Sequence, residues 1–177
     1  METIESMRLR YSCRDYKKQQ ISKEELEILL KAANVAPVAL GNYNDVAITV
    51  IQNEEVIQEI SNEAARVMSG LGSNPVYSAP TLLMISAMKG SEMPESVSYC
   101  NASCIAENIM LAATDIGLAS TYLLAVSVVI QHNKSICEKL GIPEDFMPIT
   151  TVATGYANDK GKEKDLENYR IRTNYIA

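Results

Sequence analysis

The chain has 177 residues, with 16 Lys plus Arg against 22 Asp plus Glu for a net charge of −6, 47% hydrophobic and 21% charged residues, 8 Gly and 6 Pro. That is the composition of a folded globular chain, and it excludes disorder, collagen and mucin-like stalks. At about 100–200 residues per domain, the length fits one domain with a sizeable core.

Residues 3–7 suggest a short helix. Ser22 followed by Glu25 is a capping box, opening a helix with Leu26, Leu29, Leu30 and Ala33 on one face. Pro37 ends it. Residues 46–51 are a β-branched run suited to a strand, and Asn53 then caps a helix carrying Val56, Ile57, Ile60, Ala64 and Val67. Gly70, Gly72 and Pro75 mark the loop beyond. Residues 82–85 are continuously apolar, as in a strand buried on both faces, and residues 96–116 form a long Ala-rich helix stopped by Gly117.

Residues 118–124 predict the next strand, a helix over residues 134–140 stops at Gly141, and residues 149–154 are a last core strand before Gly155. The chain divides after Tyr156. Residues 1–156 form the core, whereas residues 157–177 are polar, punctuated by Tyr169, Ile171, Tyr175 and Ile176. Such an extension does not fold alone, so it is either disordered or wrapped over another surface, a partner subunit included.

The longest mainly apolar stretch, residues 118–130, is broken by Ser120, Thr121 and Ser127 and falls short of the roughly 20 residues of a membrane helix. Glu2 and Glu5 precede any apolar run, the wrong order for a secretory signal, so the expected location is the cytosol. A cytosolic address keeps the four cysteines reduced. Cys100 and Cys104 share a helix face and form a potential metal-binding pair. With no second cysteine pair and His132 the only histidine, two small apolar fillers of a buried helix are the better reading, and no metal is expected.

The distribution of charge is more informative than its total. Residues 1–18 hold five cations and three acids and residues 157–177 hold five and four, which leaves six cations against fifteen acids between them. An acidic body does not bind nucleic acid. Cations gathered at the two chain ends suit a small anionic ligand or serve merely as soluble tails.

Strands alternating with helices suggest by default a doubly wound nucleotide-binding fold, but its phosphate loop is missing. Gly70-Leu71-Gly72 follows a helix and runs into Pro75, so it is a turn, and there is no Gly-Lys-Ser/Thr. Any anionic cofactor must therefore be held by side chains, with the arginines of the two ends as candidates.

Arg10-Tyr11-Ser12-Cys13-Arg14-Asp15-Tyr16 follows the first short helix and resembles the Arg-Arg-Ser-x-Arg-x-Phe signature of the FMN-dependent nitroreductase family. The order continues with Glu24-Glu25-Leu26, Ala32-Ala33-x-x-Ala36-Pro37, Ala79-Pro80-Thr81, Glu107-Asn108-x-x-Leu111-Ala112-Ala113, Gly117-Leu118 and Gly155-Tyr156, over nearly the whole chain. The resemblance implies an α+β fold with a mixed β-sheet flanked by helices. It also implies an intertwined homodimer with FMN at the subunit interface and an extension reaching onto the partner. NADH or NADPH would reduce the flavin, and a nitro compound, quinone or similar small acceptor would reoxidise it.

By the same resemblance, Arg10 and Ser12 match positions that hold the FMN phosphate, and Arg170 and Arg172 look like the extension's basic pair. Tyr11, where a basic residue is commoner, is counted with them as a cofactor-binding position. Arg14 matches the cation beside the flavin pyrimidine edge, where a fixed charge stabilises the reduced ring. Pro37, Val38, Ala39 and Leu40 match the loop lining the ring; it lacks the family's Ser, Gln and Trp, so backbone groups or Asn42 take over their bonds. Leu123, Leu124 and Ala125 match the segment passing flavin N5 and also read as the end of a core strand. Asn108 needs a partner, either cofactor or neighbouring backbone. No catalytic acid or base is evident, and hydride transfer to and from a flavin requires none. Besides the reductase, two other readings arise. One is a non-catalytic flavin carrier or sensor, favoured by the altered loop; the other is an interaction module without cofactor.

Overall fold

A computed structural model describes residues 2–90 and 93–176. Met1 and Ala177, the outermost positions of the two expected segments, lie outside the described residues. The chain runs through α1 (Thr3–Leu9), α2 (Lys23–Asn34), β1 (Val46–Ile51), α3 (Glu54–Val67), β2 (Thr81–Met88), α4 (Glu95–Asp115), β3 (Ala119–Leu123), α5 (Leu124–Ile130), α6 (Lys134–Lys139) and β4 (Phe146–Gly155).

The four strands pair in the order β1-β2-β4-β3, every ladder antiparallel. The parallel element is a single bridge, Ser12 beside Ser120, at the outer edge of β3. Alternation along the strands sends Leu82, Met84 and Ala153 to one face, where α3, α5 and α6 cover them, and Leu83, Ile85 and Val152 to the other, under α2 and α4. Both faces of β2 are therefore buried, which is why its sequence is continuously apolar.

The local signals are realised as bonds. Ser22 Oγ accepts from Glu25 N (3.1 Å) while Glu25 Oε2 accepts from Ser22 N (2.7 Å), and Asn53 Oδ1 accepts from Val56 N (3.0 Å). Gly70 lies in a single turn of 3₁₀ helix, Ser69–Leu71, so the Gly-x-Gly is indeed a turn.

Three expectations need correction. The strand expected to reach residue 124 stops at Leu123, and Leu124 starts a helix although Val126, Val128 and Val129 favour a strand. Burial of Val126 and Val129 against the sheet outweighs that preference. The last strand begins at Phe146, ahead of Pro148, because Pro148 lies opposite Ser86 at a shift in the β2–β4 register, where a missing N–H is tolerated. Cys100 and Cys104 are exposed, so they are not core fillers; the buried stripe of α4 is Ala102, Ile105, Ala106, Ile109, Met110 and Ala113.

Candidate functional site

The arm that leaves α1 is laid along β3. Arg10 closes the helix with its N–H on Ser6 O (2.9 Å) and turns the backbone extended (φ −57°, ψ 129°). Cys13 N donates to Ser120 O (3.1 Å), and Thr121 Oγ1 donates to Cys13 O. Further on, the buried Tyr16 sends its hydroxyl to Ala153 O (3.2 Å). With Cys13 held inward, Ser12 and Arg14 face outward on alternate positions and are exposed, and Arg10 is half-buried. The spacing of the Arg-x-Ser-x-Arg run thus acts as a strand-like alternation that offers two cations and a hydroxyl on one side.

The start of the extension folds back on this arm. Lys17 N donates to Tyr156 O (2.8 Å), Asn158 N to Asp15 O (3.1 Å) and Lys164 N to Arg8 O (3.0 Å). Tyr11 is committed to this contact. Its hydroxyl donates to Asp159 O (2.7 Å), and its ring lies so close to Gly161 that a Cβ there would come within 2.2 Å of ring carbons. Burial, then the neighbouring Cys13 thiol, push the Tyr11 phenol up to about 12.

Lys164 is the residue that sequence reading missed. Its Nζ donates to Met7 O (2.9 Å) and to Arg10 O, and Arg10 Nε lies 3.7 Å from Glu107 of α4. Burial lowers the Lys164 pKa, and Arg10 and Arg170 lower it further, opposed by Glu107. Arg10 and Lys164 thus bring two cations together beside one carboxylate, an arrangement that a phosphate dianion would relieve. The signal in the sequence was the excess of cations at both chain ends, but not which of them would meet. Arg170 and Arg172 both lie on the exposed stretch of the extension.

The loop between α2 and β1 has a defined shape. Tyr43 OH donates to Ala36 O (3.0 Å), Gly41 N to Val38 O (2.9 Å) and Ala39 N to Asn101 Oδ1 of α4 (3.0 Å). Leu40 is held at φ 55° and is 89% exposed, whereas Val38 is buried and Pro37 and Asn42 are exposed. Asn108 Nδ2 donates to Ala32 O (3.0 Å), so its partner is a backbone group of α2.

At the β3–α5 junction, Leu123 is buried in the core, whereas Leu124 is exposed and Ala125 half-buried. Leu123, at the N-cap, offers no side-chain acceptor, so the first turn of α5 presents backbone N–H groups without intrahelical partners. Arg10, Ser12 and Lys164 make a set suited to a phosphate, and the residues present fit a phosphorylated cofactor.

The family model for the nitroreductase family matches residues 7–156. The chain belongs to the nitroreductase family. A protein of Archaeoglobus fulgidus provisionally named NADH dehydrogenase/NAD(P)H nitroreductase is 31% identical over 164 residues, covering 93% of this chain and 88% of its own. Among solved structures, a nitroreductase with bound FMN from Desulfitobacterium hafniense superposes with a TM-score of 0.87 at 23% identity, covering 100% of both chains. A nitroreductase with bound FMN from Bacteroides fragilis has a TM-score of 0.81 at 25% identity, covering 99% of this chain and 100% of that one. The α+β architecture expected from the resemblance is thereby shown.

Proposed function

We propose that this nitroreductase-family protein is an FMN-dependent oxidoreductase that passes reducing equivalents from NADH or NADPH to a nitro compound, quinone or similar small acceptor. The observation that carries this reading is the meeting of the arm and the extension at Arg10 and Lys164, two residues from the exposed Ser12, in a fold without a glycine-rich loop. Arg10 and Ser12 supply charge-assisted bonds to the phosphate, with Lys164 as a third partner. Arg14 stands by the pyrimidine edge. Pro37, Val38, Ala39, Leu40 and Asn42 line the ring, and the N–H groups after Leu123 face it. When bound, FMN supplies the two-electron chemistry, accepting and releasing hydride. The chain's own residues bind, orient and stabilise charge, which is why the site needs no histidine or carboxylate pair.

The second half of the extension, including Arg170 and Arg172, packs on a partner subunit in a homodimer, and the protein works in the cytoplasm. No helix among the described residues is long and apolar enough to cross a membrane. The loop lacks the family's Ser, Gln and Trp, yet Asn101 and Tyr43 give it a fixed shape, which weakens the case for a carrier or sensor without turnover.

Purified protein should be yellow, release FMN on heating, and oxidise NADH or NADPH in the presence of a generic nitroaromatic or quinone. An apoprotein that refuses added FMN at low salt would overturn the reading; a loaded protein without turnover would return it to a carrier.

A further inference from the structure

Asn101 and Asn108 stand seven residues apart on α4 and so share one stripe of that helix. Asn108 donates to Ala32 O near the end of α2, and Asn101 accepts from Ala39 N, both at 3.0 Å. Between these two anchors lie the exit from α2 and Pro37, and the turn through Leu40 follows directly on the second. That turn is strained. Leu40 sits at φ 55° and Gly41 at φ 67°, and a side chain with a Cβ resists the left-handed region. Ala39 opens a 3₁₀ turn whose preceding residue, Val38, has no side-chain acceptor, so the Ala39 N–H takes its partner from another element.

We propose that Asn101 is a positioning residue for the flavin-lining loop, holding residues 38–41 in the shape that receives the ring by accepting the Ala39 N–H. This rests on the reading of that loop given above. Without the acceptor, the Ala39 N–H turns to water and Leu40 is free to leave its strained conformation. A ring ligand must then order the loop as it binds. The phosphate end is held by Arg10 and Lys164, which lie on other segments and keep their geometry.

The test uses apoprotein of the parent, Asn101→Ala, Asn101→Asp and Ala39→Pro, titrated with FMN, with lumiflavin, which has the ring alone, and with inorganic phosphate. Ala39→Pro deletes the same bond from the other side. Val38 is already extended (φ −123°, ψ 137°) as a residue before proline must be, and the first position of a helical turn accepts proline. Asn101→Ala and Ala39→Pro should each weaken FMN and lumiflavin by about tenfold, the scale of one partly buried hydrogen bond, and leave phosphate affinity unchanged.

Asn101→Asp, which still accepts, should stay within about threefold of the parent. In the Ala39→Pro background, Asn101→Ala should add nothing further. If Asn101→Ala fails to fold, Asn101→Leu, which keeps the volume and lacks the acceptor, takes its place. Equal flavin affinity in the parent and the variants that lack the bond overturns the proposal, as does loss of phosphate binding by the same factor or failure of Asn101→Asp to restore binding. A parent that binds phosphate but neither flavin overturns the functional reading, and the inference with it.

Discussion

Arg10, Arg14 and Lys164 carry the same charge, but their surroundings assign them different work. Arg10 and Lys164 meet through the Arg10 carbonyl beside Glu107, and in the proposed reading both face the phosphate, whose charge does not change on reduction. Arg14 is exposed two alternations beyond Arg10 along the arm, where the proposed reading has negative charge developing on reduction. Arg14→Met should lower the two-electron potential by roughly 20–65 mV, equivalent to about 1–3 kcal/mol of charge-assisted bonding, with only a modest loss of oxidised FMN affinity. Arg10→Ala and Lys164→Ala should instead weaken both redox states alike and leave the potential nearly unmoved. Spectroelectrochemical titration of the three variants checks this, and a parent-like potential in Arg14→Met would reduce Arg14 to a structural role. What the sequence made legible here was the arm, because its alternation is local. Lys164 and Asn101 were not legible, since both act across long separations, on Arg10 and on Ala39, and neither spacing nor composition encodes such a meeting.

Elements announced by caps and periodicity came through with their boundaries nearly intact. β1 matches its expected span, and the caps at Ser22 and Asn53 form as bonds. Where tertiary packing competes with propensity, the sequence misleads, as it does for the valines of α5. One junction between elements was equally hidden. Glu63 of α3 accepts from Arg66 Nε (2.8 Å) and from Asn133 Nδ2 (3.0 Å), the residue that caps α6 through Ile136 N. The Arg66 bond first, and then the Asn133 amide, lower the Glu63 carboxyl to about 2. A carboxyl with a depressed folded pKa stabilises the fold above the usual carboxylate range and loses that contribution as pH falls toward the folded value. Parent stability should therefore decline between pH 4.5 and 2 more steeply than that of Glu63→Gln, while at pH 7 the parent should be the more stable. Urea midpoints across that range test it; parallel pH profiles would show that the α3–α6 junction is electrostatically idle.

At the scale of the whole molecule, the extension is two segments with different attachments. Residues 157–164 are tied to the chain's own arm through Tyr11, Asp15 and Arg8, so this part already has the surface it was expected to seek. Beyond it the apolar side chains stay outside, with Tyr169 at 85%, Ile171 at 83%, Tyr175 at 86% and Ile176 at 94% exposure. Ile4 of α1 is exposed as well (59%), and α1 rests on α4, where Cys100, Ser103 and Cys104 are exposed and uncharged. So much apolar surface on so short a chain suits a second copy better than water, and two-fold symmetry would cover both stretches at once. Deleting residues 166–177 leaves Lys164 and its bonds to the arm in place, so the protomer should still fold. The truncated protein should dissociate at concentrations where the parent is dimeric, and it should lose FMN in parallel, because the deletion removes Arg170 and Arg172 together with the partner contact. Lys164→Ala makes the complementary case, since it should release FMN while the dimer persists. Light scattering and flavin content, measured on both variants over a dilution series, separate these outcomes. A truncated protein that stays dimeric and fully loaded would mean that the exposed tyrosines and isoleucines of the extension have no partner to meet.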